Sequence, residues 1–142
     1  MTLELHATPE EVMRAVEALQ EFAPTQGVPE KVIFVLALAL EECGSNIVNH
    51  ALRRDARHTF HVVLEYQEDS FIMELRDRGP AFDPTAETER PAPPDGAEQA
   101  GGWGLLLVRR YMDGIQYVRE AGENVLRLTK RLGKAAGQES IC

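Results

Sequence analysis

The stretch Thr59-Phe60-His61-Val62-Val63-Leu64-Glu65-Tyr66 is followed closely by Phe71-Ile72-Met73-Glu74-Leu75-Arg76, with Glu68-Asp69-Ser70 between them. Both runs are rich in β-branched and aromatic residues, and the short polar break reads as a turn, so the pair predicts a β-hairpin. Upstream the period changes. Thr8-Pro9-Glu10-Glu11 has the form of a helix start: Thr8 can cap, Pro9 suits the first helical position, and the two acids favour the positive end of the dipole. Val12, Ala15, Val16 and Leu19 then supply one apolar face, and the helix is expected to end near Phe22, before Pro24. Pro29-Glu30 opens a second, more apolar helix, expected to run to about Leu52, with Arg53-Arg54 at its negative end.

The flanks complete the pattern. Thr2–His6 alternates like a short strand. Leu105-Leu106-Leu107-Val108 leads into a helix to about Met112. Two more strands, Ile115–Arg119 and Asn124–Arg131, are joined by a turn at Ala121-Gly122-Glu123. The order β-α-α-β-β-loop-α-β-β implies an α+β fold. Its form is a two-layer α/β sandwich, a mainly antiparallel sheet covered by helices on one face.

The 142 residues fit one domain, read as residues 1–132, with 133–142 as a flexible tail. Five of the eight prolines fall between Pro80 and Pro94, and residues 85–100 contain no large apolar side chain. That segment is a surface loop of the length usually reserved for lids. The net charge of −8 argues against a nucleic-acid footprint. Cys43 and Cys142 form no metal or disulfide spacing, which fits a reducing compartment. Residues 1–6 lack the marks of a signal peptide, and the longest apolar run, Val32–Leu40, has nine residues. Together these imply a cytoplasmic protein that engages neither membrane nor nucleic acid.

Three constellations carry chemistry. In the second helix, Asn46 falls about 40° from Glu42, His50 about 80° and Asn49 about 20° to the other side, so all four share a face. One or two turns upstream the same face carries Val35, Leu38 and Ala39. A stripe that turns from apolar to polar fits either the wet end of a helix or a helix that lines a site. A carboxylate there can activate a hydroxyl, and an amide oxygen can complete the shell of a phosphate-bound Mg²⁺. The second constellation is Asp77-Arg78-Gly79-Pro80-Ala81-Phe82-Asp83-Pro84, directly after a strand. Its aspartate can accept a hydrogen bond from an exocyclic amine such as that of adenine. The third is Gly101-Gly102-Trp103-Gly104 before a helix, where backbone N–H groups can approach an anion.

In order and spacing the three resemble the GHKL ATPases: gyrase, the heat-shock chaperone, histidine kinases and the mismatch-repair ATPase. Glu42-Cys43-Gly44-Ser45-Asn46 with His50 is similar to the N box, Asp77–Pro84 to the G1 box, and Gly101–Val108 to the G2 box. Residues 5–132 are covered. Glu42-x-x-x-Asn46-x-x-x-His50-Ala51, Phe82-Asp83-Pro84 and Leu126-Arg127-Leu128-Thr129-Lys130 most resemble the small anti-sigma-factor serine/threonine-protein kinases of bacterial partner switching.

That resemblance implies ATP and Mg²⁺ as cofactors and Glu42 as the catalytic base. It implies Asn46 as the metal-holding residue, Asp77 at the adenine amino group, Gly79 giving the base room, and Thr129 supporting the adenine. Gly102 and Gly104 would contact phosphates. Gly101, Leu105, Phe82 and His50 would also belong to the nucleotide site, and residues 85–100 would form the ATP lid. The implied partners are a STAS-domain anti-anti-sigma protein, a second copy of the chain in a homodimer, and, left open, a sigma factor. The alternatives are a non-catalytic, nucleotide-gated partner-binding regulator and a detached ATP-binding module of the histidine-kinase type.

Overall fold

The structure is a computed structural model that describes residues 1–87, 106 and 108–132. The hairpin forms as expected: β2 (Thr59–Gln67) and β3 (Ser70–Asp77) pair antiparallel, with Gln67 opposite Ser70 and Phe60 opposite Asp77. β1 (Thr2–His6) pairs with β2, placing Leu5 opposite Phe60. β4 (Gly114–Glu120) and β5 (Glu123–Arg131) form the second hairpin, and β5 pairs with β3. The sheet is antiparallel throughout, in the order β1-β2-β3-β5-β4.

Both hairpins turn on two residues with positive φ, Glu68-Asp69 and Ala121-Gly122, the conformation whose twist matches that of the strands. Ser70 and Glu123, assigned to turns from the sequence, are therefore the first residues of their strands.

α1 (Pro9–Thr25) starts as its sequence dictates, with the Thr8 hydroxyl accepting from the Glu11 N–H at 3.2 Å. It continues beyond Phe22, through Pro24. Pro24 brings no N–H to the Gln20 carbonyl, a loss confined to the last turn, and the carbonyls at the helix end find donors just beyond it. The Ala23 carbonyl accepts from the Gln26 and Val28 N–H groups, and that of Pro24 accepts from the Gly27 N–H.

α2 (Glu30–Asn46) also departs from expectation. It does not run as an α-helix to Leu52 but widens after Asn46 into a π-helical turn, Ile47–Ala51, closed by the Leu52 N–H on the Ile47 carbonyl. The whole stretch Glu30–Ala51 is long and apolar enough to cross a bilayer by length and composition alone. Here its buried side, with Leu36, Leu40, Cys43, Ile47 and Val48, belongs to the core.

The core lies between the helices and one sheet face. Phe60, Val62 and Leu64 of β2, Phe71, Met73 and Leu75 of β3, and Leu126 and Leu128 of β5 alternate into it. The expected loop after Pro84 begins with a short 3₁₀ turn, Pro84–Glu87; the rest of the lid segment and the tail from 133 lie outside the described residues. The helix before β4 is helical at 106 and 108–111, ending just short of Met112.

Ala121 sits at φ 51°, a conformation that disfavours a Cβ but suits asparagine. Ala121→Asn is expected to raise the melting temperature by about 2–4 °C in a thermal melt.

Candidate functional site

The site is built where the buried apolar rows of the sheet end. Asp77 follows Leu75 on the core-facing side of β3, and Asn124 precedes Leu126 on the same side of β5. The two stand directly opposite each other in the register, and both are only 4% exposed. A carboxylate and an amide placed so deep need partners. Asn124 Nδ2 donates to Asp77 Oδ1 at 2.9 Å and to the Pro80 carbonyl at 2.9 Å. Asn124 Oδ1 accepts from the Phe82 N–H at 3.1 Å, from Arg119 Nη1 at 3.2 Å and from the Tyr117 hydroxyl. The Gly79 N–H also donates to Asp77 Oδ1, at 2.8 Å, and Arg119 Nη1 donates to the Gly79 carbonyl at 2.7 Å. Asp77 Oδ2 has no partner among the described residues.

These contacts fold residues 78–83 back over the end of the sheet. Gly79 is held against the end of the π-helical turn. A Cβ at this position would lie 2.6 Å from the Ala51 carbonyl oxygen and 3.1 Å from Asp77 Oδ1. The close approach of two backbone segments therefore accounts for glycine here directly.

A cavity opens beside Asp77. Its walls are Cys43, Asn46 and Ile47 from the long helix, Leu75 and Asp77 from β3, Phe82 and Pro84 from the loop, and Tyr117, Asn124 and Leu126 from β4 and β5. Asn46 is 8% exposed, and its side-chain amide makes no hydrogen bond to a described residue. Glu42 lies one α-helical turn earlier, half-buried. Burial, and secondarily the charge of Glu41, push its carboxyl above the usual range. Cys43, fully buried, has its thiol pushed up to about 12, chiefly by that burial, so it remains a neutral wall residue.

The π-helical turn changes the face computed for an α-helix. His50 is exposed and its ring stacks on Phe82, with centroids 5.8 Å apart and planes at 26°. Asn49 Oδ1 accepts from Arg54 Nε at 2.8 Å, while Arg53 and Arg54 both take positive φ where the chain leaves the turn.

Of the residues expected at the site, Asn46, Asp77 and Phe82 gather at the cavity, with Gly79 and His50 touching its loop. Gly101, Gly102, Gly104 and Leu105 lie outside the described residues. Thr129 is not brought to Asp77. It is five positions from Asn124, opposite Ile72 and Gly114, and an odd separation along a strand points it to the other sheet face. Asn124 stands where Thr129 was expected. Tyr117 and Arg119 were also missed. The alternation of Leu126 and Leu128 already places Asn124 inward and Thr129 outward.

Residues 5–130 match the model of the histidine kinase-like ATPase domain, and the chain belongs to that family. It is 33% identical over 129 residues to the serine/threonine-protein kinase BtrW of Bordetella bronchiseptica, covering 90% of this chain and 91% of that one. It is 28% identical over 145 residues to the serine-protein kinase RsbW of Listeria monocytogenes, covering 99% and 92%. Among solved structures, a chain of the SiaB–SiaC complex of Pseudomonas aeruginosa superposes with a TM-score of 0.64 at 14% identity, over 91% of this chain and 88% of that one. The RsbU and RsbW domains of a Mycobacterium tuberculosis protein give 0.62 at 20% identity, over 93% of this chain. This chain spans about a third (32%) of that longer one.

Because the clash at Gly79 is with backbone, Gly79→Ala is expected to lower the melting temperature by about 5–10 °C, checked by calorimetry.

Proposed function

We propose that the chain is an ATP-dependent protein serine/threonine kinase that transfers the γ-phosphoryl group to a hydroxyl of a small STAS-domain protein. One observation carries this reading above the others. A buried carboxylate, Asp77, is held through one oxygen, and the other, without a partner among the described residues, stands beside a cavity walled by Asn46. That free oxygen is an acceptor suited to the adenine amino group, and Leu75, Leu126 and Phe82 offer apolar walls for the base. The serine-kinase names of the relatives support a protein hydroxyl as acceptor. The STAS-domain acceptor, homodimer and cytoplasmic location follow from the resemblance to anti-sigma-factor kinases. Residues 1–132 serve as the working domain, with a lid over 85–100.

Glu42 would take the proton of the attacking hydroxyl. Its raised proton affinity makes it a better base than an exposed glutamate. Among the described residues no group of three His, Cys, Asp or Glu side chains forms a metal cage. A Mg²⁺ ion held mainly by phosphates and water, with the free amide oxygen of Asn46 as the protein ligand, fits this donor set. When bound, it would neutralise phosphate charge during transfer. Asn46 then orients the phosphates near Glu42, Asp77 orients the base, and Phe82, steadied by His50, closes the side of the site.

The test is labelled-ATP transfer to STAS-domain proteins of the same genome, alongside calorimetry. Glu42→Ala should abolish transfer, a loss of at least about 10²-fold, while ATP still binds. Asn46→Ala should remove the Mg²⁺ dependence of binding. Tight partner binding with no transfer by the wild type would instead identify a nucleotide-gated binding protein. An acid-labile phosphoprotein would identify a histidine kinase.

The pH profile gives a separate check. Transfer needs ionised Glu42, so the rate should fall as pH drops through its raised pKa, with an acid limb above pH 4.5. Glu41→Gln removes the neighbouring charge that contributes to the shift and should move that limb to lower pH without abolishing transfer.

A further inference from the structure

We infer that Asn124 is a positioning residue that fixes which oxygen of Asp77 is offered to the nucleotide and keeps that oxygen a hydrogen-bond acceptor. The inference rests on the proposed nucleotide site and adds a residue that acts on it through Asp77. The side-chain amide of Asn124 has one workable orientation. Its oxygen faces two obligate donors, the Phe82 N–H and the Arg119 guanidinium, and its nitrogen faces two acceptors, Asp77 Oδ1 and the Pro80 carbonyl. Flipping the amide would set donor against donor and acceptor against acceptor. The polarity then passes to Asp77. Oδ1 receives N–H donors from both Gly79 and Asn124, which among the described residues leaves Oδ2 as the oxygen free to accept. The same amide ties β3, β4, β5 and the loop 79–82 into one unit, so the loop that walls the cavity and the carboxylate within it are set together.

Asn124→Asp is the nearly isosteric test. Ionised, it puts a second carboxylate against Asp77 Oδ1 and the Pro80 carbonyl. The other groups facing this point among the described residues are the Arg119 guanidinium and the Tyr117 phenol, both from β4. Two carboxylates at this distance hold one proton far more tightly than either alone. Once protonated, the new side chain can donate O–H to Asp77 Oδ1 and restore the original polarity, losing only the bond to Pro80.

Calorimetry should therefore show ATP affinity of Asn124→Asp at least about tenfold below wild type at pH 8, recovering most of that loss at pH 6. The wild type, measured in parallel, should change little. A purely structural defect would not recover on acidification. Arg119→Met, an exposed position outside the cavity, removes a donor from both Asn124 and the Gly79 carbonyl and should weaken ATP about threefold to tenfold with the fold intact. Wild-type affinity in Asn124→Asp at pH 8, or a loss that persists at pH 6, overturns the inference while leaving the nucleotide site standing. If Asn124→Asp does not fold at pH 8, Arg119→Met decides alone, and unchanged affinity overturns the inference. A wild-type chain that binds neither ATP nor ADP fails earlier and removes the proposed function itself.

Discussion

The hydrogen bond between Asn124 and Asp77 is the constraint on which the rest of the site depends. Two apolar strand rows run to the end of the sheet and finish in a carboxylate and an amide, each 4% exposed. Burying a carboxylate costs several kcal/mol unless donors reach it. Here two donors reach Oδ1 and none of the described residues reaches Oδ2. The described residues thus meet half the demand of this buried carboxylate. A ligand that donates a hydrogen bond and brings an apolar ring meets the other half, and an apolar pair at 77 and 124 would pack as well but recognise nothing.

The helical layer is linked to the same point through backbone rather than side chains. Ala51 ends the π-helical turn, and its carbonyl leaves no room for a Cβ on Gly79, two residues beyond Asp77. A regular α-helix through 47–51 would carry this carbonyl along a different path. The wider turn also turns His50 onto Phe82 and leaves the chain in a strained conformation at Arg53 and Arg54. Short π-helical segments recur at functional sites. Here one lies at the end of the helix that carries Glu42 and Asn46, packed against the loop that follows Asp77.

Much of this was legible in the sequence where periodicity spoke. The hairpins, the Thr8-Pro9 helix start and the polar end of the long helix all follow from spacing. Errors came where local signals compete with tertiary contacts. Pro24 argues for a helix stop, yet in the last turn it forfeits one hydrogen bond, and the N–H groups of Gln26, Gly27 and Val28 close the helix end. Nothing in Ile47-Val48-Asn49-His50-Ala51 signals a π-helical turn, whose end packs against Gly79, a residue distant in sequence. Thr129 drew attention through its resemblance to a motif. Parity with Leu126 and Leu128 turns Asn124 inward, and the pairing of β3 with β5 sets it opposite Asp77.

The opposite face of the sheet offers a contrast. There Arg76 pairs with Glu74 at 3.2 Å and Glu123 at 3.1 Å, and Arg127 lies 3.7 Å from Glu74. These charges neutralise one another in reach of water, where each pair is worth little. On the long helix, Glu42 sits half-buried beside fully buried Cys43, with no countercharge among the described residues and Glu41 adding repulsion. The burial that anchors the helix is the first cause of the raised proton affinity of Glu42. Any change that loosened the helix end would hydrate the carboxylate and return it towards an ordinary glutamate. Stability and basicity at this position therefore share one cause, and packing faults near Cys43 or Ile47 should weaken both.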